Sequence, residues 1–295
     1  GLSTLKTPDD YGLSLTLGGG EVHMTDMAEA FGVFANGGMK KDLTAILKVT
    51  DKNGKVLDEY KDPNLDRDIP SQLMIRGKRA ISQEAAFLIS HILADNNARQ
   101  DAFGPDSLLK ITDHSVSVKT GTTDDLRDNW TIGFTPLALV ATWVGNNDSS
   151  PMNPSLVSGV TGAAPIWNKL IRKVLDKKPD ILPKRPDGIE GAQICVTSGL
   201  LPPNPPAGEA GPEGKEGADK GCDTRFEYFI KGTVPTIREK VKDLIHIDKA
   251  TGELALPGQI DNIDLVERQI LRDPLSTYCS DCTNAPTHIT FIPVK

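Results

Sequence analysis

No stretch of this sequence is apolar for long enough to cross a membrane as a helix. No secretory signal is visible at its start either. The first residue is Gly1 rather than Met, and the residues that follow resemble the middle of a domain. We therefore expect the chain to be a fragment or a processed product, so that a missing anchor says nothing about the parent protein.

Basic residues are also in the minority, with 33 Lys and Arg against 40 Asp and Glu and a net charge of -7. No concentrated basic patch is present, which argues against nucleic acid as a partner. The hydrophobic content of 38% and the charged content of 25% are those of a globular protein. A length of 295 residues predicts two domains rather than one.

The histidines lack the spacing of metal ligands, and we predict neither a metal nor a cofactor. A phosphate-binding loop is excluded, because no glycine-rich stretch precedes Lys119 and the order is Lys-Thr-Gly rather than Gly-Lys-Thr. The scattered histidines are more consistent with surface or capping positions: His23, His91, His114, His246 and His288.

Only four cysteines occur, all in the last third of the chain: Cys195, Cys222, Cys279 and Cys282. Disulfides Cys195–Cys222 and Cys279–Cys282 would suit an oxidising compartment. A zinc site would need all four, although only the last two have the usual paired spacing. Free thiols are the third possibility, and the sequence leaves these alternatives open.

Hydrophobic periodicity divides the chain into a mixed helix and strand region at 1–175, a linker at 176–188 and a small β-rich region at 189–295. Within the last region, 204–221 is rich in Gly, Pro, Ala, Glu and Lys and is predicted to be mobile. The predicted helices are 24–37, 82–96 and 161–175, and the predicted strands are 43–50, 55–60, 116–119, 130–134, 137–144, 189–197, 226–230 and 242–248.

The most informative motif is Lys119-Thr120-Gly121-Thr122-Thr123, at the end of a β-branched run. It places a cation, hydroxyl groups and a bare backbone edge side by side, a set that can hold a carboxylate beside an extended peptide. Lys-Thr-Gly is one of three motifs of the serine penicillin-binding proteins and β-lactamases. Alone it is a weak signal, because three common residues meet by chance in some chains of this length.

Several other blocks agree with this motif in order and spacing, and together residues 1 to 236 resemble the class A, or bifunctional, penicillin-binding proteins. The tail after the linker resembles the segment that often follows their transpeptidase domain. The blocks are Tyr11–Gly19, Phe34–Gly38, Lys119–Thr123, Asp128–Trp130, Gly133–Pro136, Trp143–Asn146, Gly159–Trp167, Cys195 with Ser198–Leu200, and Phe229–Thr236.

This resemblance implies an α+β fold of the penicillin-binding protein and serine β-lactamase type, a mainly antiparallel sheet flanked by helices. Residues 1–175 would be the C-terminal half of that transpeptidase domain. The parent would cross-link peptidoglycan on the outer face of the bacterial membrane through an acyl-serine intermediate. Its partners would be D-Ala-D-Ala stem peptides and β-lactams, with a glycan-polymerising domain and a membrane anchor upstream.

The resemblance also implies roles for the motif residues. Lys119 would supply positive potential, and the hydroxyl groups of Thr120 and Thr122 would donate to the substrate carboxylate. Gly121 would let the peptide lie against the strand, and Thr123 belongs to the same substrate-binding end. The backbone N–H of Thr122 would be one oxyanion donor, so that Lys119 and Thr122 are the candidate catalytic residues.

Two departures limit this interpretation. Thr131 stands where the family usually has an aromatic residue, and we expect looser packing beneath the strand. The nucleophile motif is absent at its expected place, and no serine between Ser3 and Lys119 is followed two positions later by Asn. Ser3-Thr4-Leu5-Lys6 matches Ser-x-x-Lys, but it lies where the family is already past that motif, so we interpret it as a coincidence.

Two rival functions remain open at this point. The chain could be part of a non-catalytic module of the same fold that binds cell-wall peptide or a partner protein. It could also be a self-contained hydrolase that uses Ser3 and Lys6.

Overall fold

The computed structural model describes residues 2–7, 9, 11–61, 78–154, 161–203, 222–239, 242–252, 255–256, 258–272 and 277–279. The chain divides into two compact units, Gly1–Pro186 and Asp187–Lys295, at a point inside the segment predicted as a linker. The segment 204–221, predicted to be mobile, lies outside the described residues.

The first unit mixes helices with short antiparallel strands, as the sequence predicts. Its helices are α1 (Met24–Ala35), α2 (Gln83–Ala94), α3 (Asn96–Phe103) and α4 (Ala163–Leu175). Its strands are β1 (Met39–Lys40), β2 (Lys48–Thr50), β3 (Val56–Glu59), β4 (Lys78–Arg79), β5 (Ser117–Thr122), β6 (Asp128–Thr135) and β7 (Ala138–Gly145), with 3-10 turns at Gly12–Leu17 and Asp124–Leu126.

A three-stranded antiparallel sheet in the order β5-β6-β7 lies at the centre of this unit. Helix α4 packs on one face, and α1 and α2 pack on the other. The predicted strands 130–134 and 137–144 are confirmed, and they pair as a hairpin, β6 with β7. Packing of α1 and α4 against β7 explains why the second arm of the hairpin, apart from Thr142, is apolar on both faces.

The α4 face holds the main hydrophobic core, and Trp167 is its largest fully buried side chain. Its ring lies directly on Gly133, where an added Cβ would be 2.4 Å from the ring carbon Cζ2. Two strand residues on this face, Thr131 and Thr142, are register partners. Both are buried, and their hydroxyl groups have no hydrogen-bond partner among the described residues.

The opposite face packs aromatic rings from α1 against the sheet. Phe134 of β6 stacks on Phe34 with centroids 6.4 Å apart and meets Phe31 edge-on at 6.3 Å. Helix α2 is tied to β5 by a buried hydrogen bond from the Ser117 hydroxyl to the Ser90 carbonyl, at 2.7 Å. The strand that carries the Lys-Thr-Gly motif is therefore anchored at its start by buried contacts.

The predicted helix 82–96 is wrong at its end, because the structure breaks it into α2 and α3 at Asp95. Ser82 caps α2 by accepting from the Ala85 N–H, as the sequence suggests. Asp95 has an extended backbone and accepts from the N–H groups of Asn97 and Ala98, so it starts a second helix. Arg99 then donates to the last carbonyls of α2, at Leu93 and Ala94.

The second unit is rich in strands, with a two-stranded sheet β8-β9 and a three-stranded sheet β10-β11-β12. Cys195 and Cys222 form a disulfide, the first of the two pairings considered above. Cys279 lies in the last strand, and Cys282 lies outside the described residues. The strands are β8 (Ile189–Cys195), β9 (Thr224–Ile230), β10 (Lys242–Asp248), β11 (Ile263–Arg272) and β12 (Thr277–Cys279), of which the last two were not predicted.

No helix in the described part of either unit is both long and apolar enough to cross a bilayer.

Gly133→Ala should lower the free energy of unfolding by about 1–3 kcal/mol, because the new methyl group overlaps the Trp167 ring. Urea denaturation measures the loss. Gly121→Ala is the matched control in the same sheet, since its Cβ would approach only the Cβ of Trp130, at 3.8 Å. Equal stability of the two variants would show that Trp167 does not pack on β6 as described.

Replacing both Cys195 and Cys222 by Ser should destabilise the second unit by about 3 kcal/mol, because a bridge across 27 residues restricts the unfolded chain. Thermal unfolding of the variant measures this effect. Peptide mapping without reductant is the control for the pairing. A bridge from Cys195 to Cys279 or Cys282 would contradict the structure.

Candidate active site

The Lys-Thr-Gly motif lies within a strand, whereas the sequence predicted that the strand would end at Lys119. Strand β5 continues to Thr122, and its pairing with β6 runs in unbroken register from Ser117↔Phe134 to Thr122↔Asn129. In the described sheet β5 is an edge strand. One side of the motif is therefore available for pairing with an extended peptide.

Strand alternation divides the motif residues between the two faces of the sheet. Thr120 and Thr122 are opposite Thr131 and Asn129, on the α4 face. Lys119 and Gly121 lie on the other face, where Lys119 is exposed and its ammonium donates to the Thr120 carbonyl at 2.5 Å. The exposed Gly121 has no side chain to obstruct a ligand at this edge.

The backbone N–H of Thr122 points to the open edge of β5. The next N–H, that of Thr123, donates across to the Asp128 carbonyl of β6 at 3.0 Å. Successive N–H groups of a strand point to opposite sides, so that of Thr122 points away from β6. This is the direction needed for a donor to a ligand bound along the strand edge.

A cavity of about 730 Å³ lies beside this strand end, a size typical of a small-molecule site. It brings together two blocks that are far apart in sequence, the glycine-containing segment after Tyr11 and the Lys-Thr-Gly strand. Its wall is mainly apolar and includes Leu15, Leu17, Gly18–Gly20, Met24, Met27, Phe31, Trp130 and Trp143, while Lys119–Thr123, Asp128 and His23 supply polar groups.

The loop between β5 and β6 is held by Asp128. Its N–H donates to the Thr123 hydroxyl at 2.8 Å, and its carboxylate accepts from the Trp143 indole N–H at 2.8 Å. Trp143 therefore acts as an anchor for the site loop as well as a wall of the cavity. The sequence analysis did not identify this contact between Asp128 and Trp143.

Asn129 is fully buried and contacts both Thr122 and the start of α4. Its amide nitrogen Nδ2 donates to Thr122 Oγ1 at 2.9 Å, and its oxygen Oδ1 accepts from the Ala163 N–H at 2.6 Å. Nothing in the sequence indicates this contact beyond the presence of an amide next to Trp130. The partner residues are 7 and 34 positions away, and pairing over that distance is visible only in the fold.

Ser3 does not have the surroundings of an activated nucleophile. Its hydroxyl donates to the Asp26 carboxylate at 2.6 Å, and its N–H donates to the same oxygen at 2.7 Å. These hydrogen bonds lower the pKa of Asp26, with the hydroxyl as the largest cause. His23 Nδ1 lies 3.3 Å from the hydroxyl oxygen, but the hydroxyl hydrogen is directed to Asp26.

Among the described residues, no group of three or more His, Cys, Asp or Glu side chains could hold a metal ion.

Comparison with known proteins gives one family. Residues 185–241 match the family described as the C-terminal domain of penicillin-binding protein 1A. Penicillin-binding protein 1A of Clostridium botulinum (strain Langeland) is 30% identical over 231 residues, which cover 78% of this chain and 24% of that protein. Penicillin-binding protein 2D of Bacillus subtilis is 28% identical over 245 residues, covering 78% of this chain and 30% of that protein.

The crystal structure of penicillin-binding protein 1A from Haemophilus influenzae has the same fold, with a TM-score of 0.58 and 28% identity. The match covers 79% of this chain and 36% of that one. The chain thus spans about a quarter to a third of the length of these three relatives. Sequence and fold together show that this chain belongs to the class A penicillin-binding proteins.

Proposed function

We propose that this chain is the substrate-holding part of a peptidoglycan D,D-transpeptidase. The observation that supports it is the edge of β5 that no described strand pairs with, where Lys119, Thr120, Gly121 and Thr122 line a cavity. A peptide ending in D-Ala-D-Ala would lie along this edge, with its carboxylate near the threonine hydroxyl groups. β-Lactams would occupy the same place.

Acyl transfer needs a nucleophile, a base, an oxyanion hole and an anchor for the substrate. The chain would supply the anchor through the Thr120 and Thr122 hydroxyl groups and the positive potential of Lys119. The outward N–H of Thr122 would donate to the oxyanion that forms when the scissile carbonyl is attacked. Thr123 would keep this strand end in place through its bonds to Asp128.

The proposal places the nucleophilic serine outside these 295 residues. Ser3 donates its hydroxyl hydrogen to Asp26, and no Ser-x-Asn motif lies between Ser3 and Lys119. In the full-length protein that serine would attack the carbonyl of the penultimate D-Ala, release the terminal D-Ala and form an acyl ester. An amine of a neighbouring stem peptide would then take the acyl group.

The remaining part of the full-length protein would then polymerise glycan strands and hold the enzyme at the outer face of the membrane. This follows from membership of a bifunctional class rather than from any residue of this chain.

Thr122→Val in the full-length protein should slow acylation by fluorescent penicillin roughly 10- to 100-fold, the effect of losing a hydrogen bond to a charged group. The measurement is the acylation rate constant as a function of penicillin concentration. Thr131→Val is the matched control, because it removes a hydroxyl on the same face that has no partner among the described residues. If Thr122→Val is acylated at the wild-type rate, the hydroxyl does not bind the carboxylate.

The 295-residue chain alone should form no covalent adduct with penicillin, as judged by intact mass. An adduct on Ser3 would favour the self-contained hydrolase instead. If the full-length protein also remains unmodified, a non-catalytic module that binds cell-wall peptide becomes the better explanation.

A further inference from the structure

Asn129 connects the proposed carboxylate-binding residue with the start of a core helix. It lies on β6 directly opposite Thr122, is fully buried, and contacts Thr122 Oγ1 and the Ala163 N–H through the two ends of its amide. The first N–H groups of a helix have no partner within the helix, so the Ala163 N–H requires an acceptor from elsewhere. Asn129 provides it.

The backbone N–H of Ala163 determines which way the amide faces. An N–H can only donate, so it must meet the oxygen of the amide, and the NH₂ group is then left facing Thr122. That NH₂ group can only donate, so the Thr122 oxygen accepts from it. The hydrogen of the Thr122 hydroxyl is therefore left to donate to another acceptor.

Gly162 makes this close approach possible. A Cβ added at this position would lie 2.5 Å from Asn129 Oδ1. Any side chain there would push the amide away from the first turn of α4 and from its bond to Ala163. Gly162, Asn129 and Thr122 thus form a continuous contact from the helix to the site.

We propose that Asn129 is a positioning residue that fixes the Thr122 hydroxyl as a donor toward the carboxylate of the bound ligand. The inference rests on the proposed function and extends it, because it names the group that orients the carboxylate anchor. Asn129 itself does not touch the ligand. Without it the Thr122 hydroxyl could turn its hydrogen away from the carboxylate.

The described elements around Asn129 place no titratable side chain on its face of the sheet next to it. Val144 is its register partner on β7, and the first turn of α4 has no acidic residue. By strand alternation, Lys119 of β5 and Asp128 of β6 belong to the opposite face. Within the described elements, no charged side chain on this face would therefore alter the response to pH of an acid introduced at position 129.

Asn129→Asp tests the direction of the Thr122 hydroxyl. A carboxylate still accepts from the Ala163 N–H, but it accepts from Thr122 too and so draws the hydroxyl hydrogen away from the ligand. Protonation of the introduced acid restores a donor toward Thr122 Oγ1. We expect acylation of the full-length variant by penicillin to fall roughly 10- to 100-fold at neutral pH and to approach the wild-type rate as the pH is lowered.

A negative charge at residue 129 could also repel the ligand carboxylate, and a double-mutant cycle with Thr122→Val separates this effect. Repulsion persists in the Thr122→Val background, whereas control of the hydroxyl does not. In the Thr122→Val background we expect Asn129→Asp to lower the acylation rate only a few-fold, at any pH. The inference would be overturned if Asn129→Asp slowed acylation by the same factor whether residue 122 is Thr or Val. It would also be overturned if the slowing measured with Thr122 intact did not change with pH.

Melting temperatures show whether the variants fold. If Asn129→Asp does not fold at neutral pH, the same cycle is measured with Asn129→Ala. This substitution should slow acylation when Thr122 is present but not in the Thr122→Val background. Additive effects of the two substitutions would reject the positioning role of Asn129. Absence of acylation in the wild-type full-length protein would instead reject the proposed function, and this inference with it. If the wild-type protein is acylated but the effects of the two substitutions on acylation are additive, the inference alone would be rejected.

Discussion

The antiparallel register of β5 with β6 is the constraint on which the rest of the site depends. It places Thr122 opposite Asn129 and Gly121 opposite Trp130, and so decides which motif residues lie on the α4 face of the sheet and which lie on the other face. A shift by one residue would exchange the two faces, bury Lys119 and turn both threonine side chains away from Asn129. The burial of Val118 in the same core cluster as Trp167 opposes such a shift, because the shift would turn Val118 to the opposite face.

A sheet covered on both faces can still offer one free edge, and this explains how the same strand serves both stability and binding. The buried half of β5 joins the core through Val118 and the bond from Ser117 to α2. The exposed half carries the Lys-Thr-Gly-Thr groups, with little to pack against. The anchored half pre-organises the exposed half, so a ligand need not order the strand on binding.

Local patterns predicted most of the elements, since the periodicity of α1, the β6–β7 hairpin and the extent of β10 are all set by neighbouring residues. The break at Asp95 was missed because its cause is a polar cap within an otherwise continuous helical pattern. The Lys-Thr-Gly motif could be proposed as a substrate-binding strand from sequence, because all its residues are adjacent. The contacts of Asn129 could not be predicted, because only the fold brings Thr122 and Ala163 to it.

The proposed division of labour has a physical consequence for how this chain can influence catalysis. If the bond-making serine lies elsewhere, the residues here act by holding the carboxylate and the oxyanion at fixed positions, and small displacements of β5 matter as much as loss of a group. Asn129 ties that strand to α4, whose buried side includes Trp167. Under the proposed role of Asn129, the orientation of the Thr122 hydroxyl would depend on packing in the core, and substitutions beneath α4 would affect the site without touching a ligand.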